Sequence, residues 1–353
     1  MKYPALLTFA ELVSELNQFD QIIDVRSPAE FALDHLPGAI NCPVLSDEER
    51  VRVGTMYKQI NAFEAKKVGA ALVARNIARH IEEQFLGHGR DWKPLIYCWR
   101  GGNRSGSMAL ILAKIGWPAV QLDGGYKAYR QHLINELDPL IGQFNYRVVC
   151  GTTGSGKSRL LQTLHAQGAQ VLDLEQLACH RGSVLGEVQN TPQPSQKAFE
   201  SAIWQTLRQF DPVRIVYVES ESKKVGNLRV PLSLIERMRG GSCINLHLSA
   251  ELRVALLMQD YEHFLTQPQN LLQRLNYLTP LHGKEKIRYW EDLIARQMLV
   301  DLVHDLIDTH YDPTYLRSIT RNFPQLAISP TYQLNGITDQ DFLQLAQQLL
   351  AVK

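Results

Sequence analysis

Leu95-Ile96-Tyr97-Cys98-Trp99-Arg100-Gly101-Gly102-Asn103-Arg104-Ser105-Gly106-Ser107 decides the fold of the first part of the chain. A short apolar run feeds a loop opened by a cysteine, and a helix is expected from about Arg104. Small residues in such a loop let backbone N–H groups turn inward toward the sulfur. A thiol held there, near a helix N-terminus and the guanidinium groups of Arg100 and Arg104, should have a lowered pKa and react as thiolate. Five residues separate Cys98 from Arg104, enough to wrap a cup around a tetrahedral oxyanion. A lone cysteine is often a core residue; the arginines and glycines favour chemistry here.

Short strands and helices alternate on both sides of this stretch. Thr8 to Gln18 reads as a helix capped by Thr8 with Glu11 completing a capping box. Gln21 to Arg26 reads as a strand, Pro28 as a first helical position, and Asp34 to Asn41 as a turn feeding another strand. Ser46 to Phe85 is helix-friendly, with Gly54, Asn61 and Gly69 as expected breaks. Val120 to Asp123 is a further strand. A helix from Tyr129 should stop at Asp138-Pro139, leaving Leu140 to Tyr146 as a hinge. The pattern predicts an α/β domain with a largely parallel sheet.

A second sheet begins at Arg147-Val148-Val149-Cys150, followed at once by Gly151-Thr152-Thr153-Gly154-Ser155-Gly156-Lys157-Ser158. This matches G-x-x-x-x-G-K-[ST] and sits after a strand and before a helix, where a phosphate loop must sit. Glycines let N–H groups face phosphates, Lys157 reaches terminal oxygens, and Ser158 is a candidate magnesium ligand. The loop does not say whether the phosphates belong to a nucleotide. Strands are expected at Gln170 to Leu174, Arg214 to Glu219 and Ser242 to Leu248, and helices from Ser249 to the end, separated by short loops at Pro268, Pro280 to Gly283 and Asp312-Pro313. Glu219 ends its strand where nucleotide hydrolases usually carry Asp; it either orients a metal or water, or pairs with Lys157. Asp173, Glu175, His180 and Arg181 lie where a second substrate would approach, although Cys179-His180 reads as well as an ordinary loop.

A chain of 353 residues suggests two or three domains. The formal net charge of +1 supplies no global field for nucleic acid or membrane binding, so any RNA partner needs a local patch. Candidates are Lys223-Lys224 with Arg229, Arg237 with Arg239, and Lys284 to Arg288 with Tyr289-Trp290, each equally readable as a solvated helix face. No stretch is long and apolar enough for a bilayer span, and the opening residues lack a secretory leader pattern. Five scattered cysteines without a Cys-x-x-Cys pair argue against a disulfide framework or structural zinc, and a cytoplasmic location is expected.

At Ile23-Asp24-Val25-Arg26, Glu30-Phe31, His35-Leu36-Pro37-Gly38-Ala39-Ile40-Asn41, the Cys98 loop and Leu122-Asp123-Gly124-Gly125-Tyr126, the first part resembles the rhodanese family. In that family the cysteine carries sulfur or a related chalcogen. The Cys98 to Arg104 spacing resembles the phosphatase-like branch, whose longer loop accommodates a phosphate group. With the phosphate loop, Asp173-Leu174-Glu175, His180-Arg181-Gly182-Ser183, Gln193-Pro194-Ser195-Gln196 and Val218-Glu219-Ser220-Glu221-Ser222, the whole chain resembles the tRNA 2-selenouridine synthase family. The resemblance implies a rhodanese-like domain at 1–139, a P-loop α/β domain at 140–250 and its helical extension at 251–353.

It also implies a transferase that replaces the sulfur of 2-thiouridine at the tRNA wobble position with selenium from selenophosphate. The route passes through an S-geranylated intermediate made with geranyl diphosphate. Cys98 would carry selenium, Arg100 and Arg104 would hold the phosphate leaving group, and Gly151 to Ser158 would cradle diphosphate with magnesium on Ser158. No tightly bound cofactor is implied; the partners are tRNA and a supplier of selenophosphate. Competing readings of the same residues are a Cys-dependent phosphatase, an ATP-dependent kinase or tRNA-thiolating enzyme, and a phosphate- or redox-sensing module.

Overall fold

Every strand of the two main sheets is parallel, so each sheet presents one edge of strand C-terminal ends, and both candidate loops lie on such an edge. The computed structural model describes residues 3–183, 185–188, 190–260 and 268–351. It divides into two units, Met1–Leu137 and Asp138–Lys353.

In the first unit, β1 (Ala5–Leu7), β2 (Gln21–Asp24), β3 (Ala39–Asn41), β4 (Pro94–Tyr97) and β5 (Val120–Leu122) are ordered β1-β5-β4-β2-β3. The central strand β4 is buried throughout, as a parallel strand covered on both faces must be. The helices are α1 (Phe9–Leu12), α2 (Pro28–Leu33), α3 (Asp47–Gln59), α4 (Ala62–His80), α5 (Asn103–Ile115) and α6 (Gly125–Ile141). The Thr8–Glu11 capping box is present, but α1 is a single turn, with a separate 3₁₀ turn at Leu16–Gln18.

Two expectations fail in the helices. Asn61 does separate α3 from α4, its side chain accepting from the N–H groups of Phe63 and Glu64. Gly54 and Gly69, by contrast, lie inside helices. A Cβ at Gly69 would stand 3.3 Å from Val53, so this glycine serves the close packing of α3 on α4 rather than a break. Nor does Asp138-Pro139 stop α6, which runs on to Ile141. Proline there forfeits one hydrogen bond in a last turn, and Gly142 N–H donates back to the Asp138 carbonyl.

The second unit holds β6 (Tyr146–Cys150), α7 (Lys157–Ala166), β7 (Gln170–Leu172), α8 (Leu174–Leu177), α9 (Gln196–Arg208), β8 (Val216–Glu219), the hairpin β9 (Lys224–Val225) and β10 (Leu228–Arg229), α10 (Leu232–Gly240) and β11 (Ser242–His247). Beyond them come α11 (Ala250–Asp260), α12 (Pro268–Asn276), α13 (Thr279–Ala295), α14 (Leu299–Leu306), α15 (Asp312–Asn322), β12 (Thr331–Gln333) and α16 (Asp339–Ala351). The sheet order is β12-β11-β6-β8-β7.

Residues 261–267, expected to be helical, lie outside the described residues. The remainder after Ser249 is not all helix, because β12 adds a parallel edge strand to β11. Pro268 and Asp312-Pro313 open helices instead of separating them, while Gly283 kinks α13 with a positive φ of 78°. Leu160, Leu161 and Leu164 of α7 share one core with Phe342, Leu345 and Leu349 of α16, so the C-terminal helix buries the face of the phosphate-loop helix. No described helix is long and apolar enough to cross a membrane.

Candidate active sites at two loops

Cys98 stands at the end of β4, 3% exposed. Burial pushes its thiol pKa up. The Ser105 hydroxyl, the N–H groups of Ser105 and Arg100, and the positive charge of Arg104 outweigh that and leave the pKa lowered. Ser105 Oγ donates to the sulfur at 3.2 Å and itself accepts from Gln121 Nε2 at 3.1 Å. Gln121 also donates to the Gly101 carbonyl at 2.6 Å, tying β5 to the loop. The inward-facing cup expected from the small residues is therefore present, with Ser105 and Gln121 as supports that sequence reasoning missed. A serine one position after the arginine, in the helix's first turn, was the available signal.

The two loop arginines differ. Arg100 is exposed, and its contribution to the thiol comes through its N–H. Arg104 is part-buried and paired with Glu30 at 2.7 Å. Burial raises the Glu30 pKa, but Arg104, with the Ser27 N–H and Arg50, more than reverses this and leaves it lowered. Glu30 thus fixes the guanidinium beside the cup.

Beneath lies a buried polar floor. Arg26, 1% exposed, donates to both oxygens of Asp24 and to the Asp34 carbonyl, and stacks 4.1 Å from the Tyr126 ring. Tyr126 donates to Asp34 at 2.8 Å, and Tyr97 accepts from Leu36 N–H at 3.1 Å. Segments far apart in sequence therefore meet under one loop. Gly125 closes the arrangement: at φ +56°, a Cβ there would lie 2.2 Å from the Cys98 carbonyl oxygen.

The second loop follows β6. Gly154 and Gly156 have φ of +78° and +88°, which L side chains rarely adopt. Lys157 Nζ donates to the carbonyls of Gly151 and Thr152 at 2.8 and 3.3 Å, holding the loop in its cradle form. Ser158 Oγ donates to Glu175 at 3.0 Å. Glu219 does not pair with Lys157 through a hydrogen bond. Its Oε1 accepts from Glu175 N–H at 2.7 Å, and its Oε2 is buried without a hydrogen-bond partner among the described residues. Asp173 caps α8 by accepting from Gln176 N–H.

Burial, and then mutual repulsion with Asp173, Glu175 and Glu221, raises the Glu219 carboxyl well above the usual range. Burial and Glu175 likewise raise Glu221 to about 8. A cluster of acids crowded beside an anion cradle favours the neutral form of its buried members, which is the direction of both shifts.

A cavity of about 920 Å³ beside this loop is lined by Asp173, Glu175, His180, Arg181 and Glu221, and also by Leu256, Leu257, Tyr311, Tyr315 and Phe323. Glu219 is buried behind the cavity wall, its main role here being to anchor Glu175. Tyr315, which the sequence did not single out, accepts from Gly151 N–H at 2.7 Å, and its ring lies under Lys157. Arg253, also unforeseen, donates to the Thr153 carbonyl at 2.9 Å and forks onto Asp312. Both come from the helical region, where no motif marks them. His180 accepts from Gly182 N–H through Nδ1. Of the basic clusters, Trp290 is buried and bonded to Asp305, and Arg237 donates to the carbonyls of Gly142 and Phe144. Neither is a free RNA contact.

Together the two units define a chain pairing a rhodanese-type cysteine cup, its thiol pKa lowered, with a P-loop cradle. Residues 8–132 match the rhodanese-like domain family, and residues 144–277 match the tRNA 2-selenouridine synthase AAA domain. Curated relatives named tRNA 2-selenouridine synthase include one from Nitrosomonas europaea, 36% identical over 73% of this chain and 67% of its own length. Another, from Nitrosomonas eutropha, is 37% identical over 71% of this chain and 65% of its own length. A third, from Pseudomonas syringae pv. syringae, is 32% identical over 83% of this chain and 87% of its own length. The alignments thus take in about two thirds of the Nitrosomonas proteins. The chain belongs to the tRNA 2-selenouridine synthase family.

Proposed function

We propose that this protein converts 2-thiouridine at the tRNA wobble position to 2-selenouridine, using geranyl diphosphate to activate the sulfur and selenophosphate as selenium donor. The observation that carries the reading is the pairing in one chain of a cysteine cup that lowers the Cys98 pKa with a P-loop cavity lined by both the phosphate loop and apolar side chains.

In the first step the thiocarbonyl sulfur attacks C1 of the prenyl group, the C–O bond breaks, diphosphate leaves, and the uridine N3 proton is lost. Lys157 and the loop N–H groups other than those of Gly151 and Ser155, which are bonded to Tyr315 and Thr152, stabilise the departing charge. Among the described residues no group of three His, Cys, Asp or Glu side chains is placed to hold a metal by itself. A magnesium ion arriving with diphosphate needs only one or two protein oxygens, and Ser158 Oγ with Glu175 supplies them, with the unpartnered Glu219 Oε2 close behind. Bound there, the ion would offset charge on the leaving group.

In the second step selenium of selenophosphate adds at C2 and expels the prenyl thiolate, leaving a Se-phosphoryl uridine. Carriage of selenium on Cys98 would oxidise the sulfur and leave phosphorus as phosphite unless an oxidant intervened. Attack of the Cys98 thiolate on phosphorus requires no oxidant: an S–P bond forms, the Se–P bond breaks with its electron pair going to selenium, and water later releases phosphate. The cup's N–H groups, Arg100 and Arg104 hold the phosphoryl oxygens.

Nucleoside mass spectrometry of 2-thiouridine tRNA incubated with geranyl diphosphate, selenophosphate or both tests the proposal. A geranyl adduct with the first and selenouridine with both support it.

A further inference from the structure

Beside the large cavity lies a smaller one of about 60 Å³, walled by Leu257, Leu271, Leu302, Val303, Leu306 and Ile307. The two cavities share Thr153 of the phosphate loop, Leu257 and Tyr311. The small one is closed in by α11, α12, α14 and the turn after α14, and Leu271, Leu302, Leu306 and Ile307 are all buried. An apolar hollow of this kind stays dry and accepts an apolar guest. Because Thr153 of the phosphate loop lines both cavities, the hollow adjoins the space next to the loop.

We infer that this hollow receives the end of the distal isoprene unit of the prenyl diphosphate, and that its depth sets the chain length the enzyme accepts. This rests on the prenyl-transfer reading of the P-loop site. Size limits the guest: about 60 Å³, against the roughly 150 Å³ that takes a six-carbon ring, admits the terminal methyl groups of the chain and little more. The rest of the chain then lies in the shared mouth between Leu257 and Tyr311, where C1 stays exposed to the attacking sulfur. A C10 chain fills mouth and hollow; a C5 chain leaves the hollow empty; a C15 chain exceeds it. A nucleotide on the loop would use the large cavity and leave this hollow without a role.

The test is a competition among dimethylallyl, geranyl and farnesyl diphosphates on 2-thiouridine tRNA, with the adducts quantified by mass spectrometry. Val303→Phe fills the hollow from a half-buried wall, and Leu306→Ala deepens it. The expected result is a C10 preference in the unmodified protein. Val303→Phe should shift the C5-to-C10 ratio toward C5 by roughly tenfold or more, as loss of a pocket for the terminal methyl groups requires. Leu306→Ala should shift the C15-to-C10 ratio toward C15. Because each readout is a ratio within one sample, partial unfolding of a variant does not move it. Unchanged ratios in both variants, with prenyl transfer intact, overturn the assignment while leaving the proposed function standing. Absence of transfer from all three donors by the unmodified protein overturns the prenyl reading itself, and this assignment with it.

Discussion

Replacing Ser105 by alanine should make Cys98 a poorer thiolate by an amount the structure allows one to bound. The Ser105 hydroxyl is the foremost of the groups that lower this thiol's pKa against burial, donating to the sulfur at 3.2 Å. A hydrogen bond to a charged group contributes about 1.5–3 kcal/mol, and one pKa unit is about 1.4 kcal/mol, so the pKa should rise by roughly one to two units. The N–H groups of Ser105 and Arg100 remain, which favours the lower end. Below both pKa values the thiolate fraction falls about ten- to a hundredfold. Nucleophilicity rises with pKa, with a slope of about 0.4–0.5, which returns about three- to tenfold. Labelling of Cys98 by a small aromatic disulfide should thus be about three- to tenfold slower in Ser105→Ala at a pH below both pKa values. It should be faster than in the parent protein at a pH above both pKa values. Peptide mapping separates Cys98 from the other four thiols, and Ser105→Thr should restore the parent profile. Because folding lowers this pKa, the thiolate stabilises the fold above the unfolded-state pKa, and that contribution disappears as pH falls through the folded value. An unchanged pH midpoint, or no crossover, would refute the account of the cup.

Three further outcomes follow. Arg26→Ala leaves the buried Asp24 carboxylate unpaired, so thermal or urea unfolding of the first unit should show a loss of about 3–5 kcal/mol. Gly125→Ala forces a Cβ to 2.2 Å from the Cys98 carbonyl, and Cys98 labelling should lose its low-pH reactivity even where circular dichroism shows folded protein. During turnover with selenophosphate, intact mass spectrometry should find a phosphoryl group on Cys98; an adduct with the isotope envelope of selenium would show that sulfur carries the chalcogen after all.

What could be read from the sequence was local chemistry. Cys98 with its arginines and Gly151 to Ser158 are contiguous motifs whose geometry is set by a strand end, a turn and a helix start, and both loops fold as their spacing predicts. The supports come from elsewhere in the chain and were not legible. Gln121 sits on β5, and Tyr315 and Arg253 lie on amphipathic helices whose apolar spacing says nothing about a polar atom turned toward a loop. β1 and β12 are short edge strands with no motif beside them, and only pairing with β5 and β11 makes them strands. Gly69 and Pro139 misled for the opposite reason. Their local propensities are overridden, at Gly69 by the need for close helix packing, at Pro139 by its place in a final turn.

The central claim is a division of labour between the two loops, and one set of reactions addresses it. Purified protein, Cys98→Ser and Lys157→Ala are each given 2-thiouridine tRNA, and separately S-geranylated tRNA, with geranyl diphosphate, selenophosphate or both, and nucleosides are read by mass spectrometry. Lys157→Ala should lose geranylation by about a hundredfold or more yet still form selenouridine from geranylated tRNA, whereas Cys98→Ser should form no selenouridine from either substrate. If the unmodified protein yields neither geranyl adduct nor selenouridine under any combination, the account is contradicted.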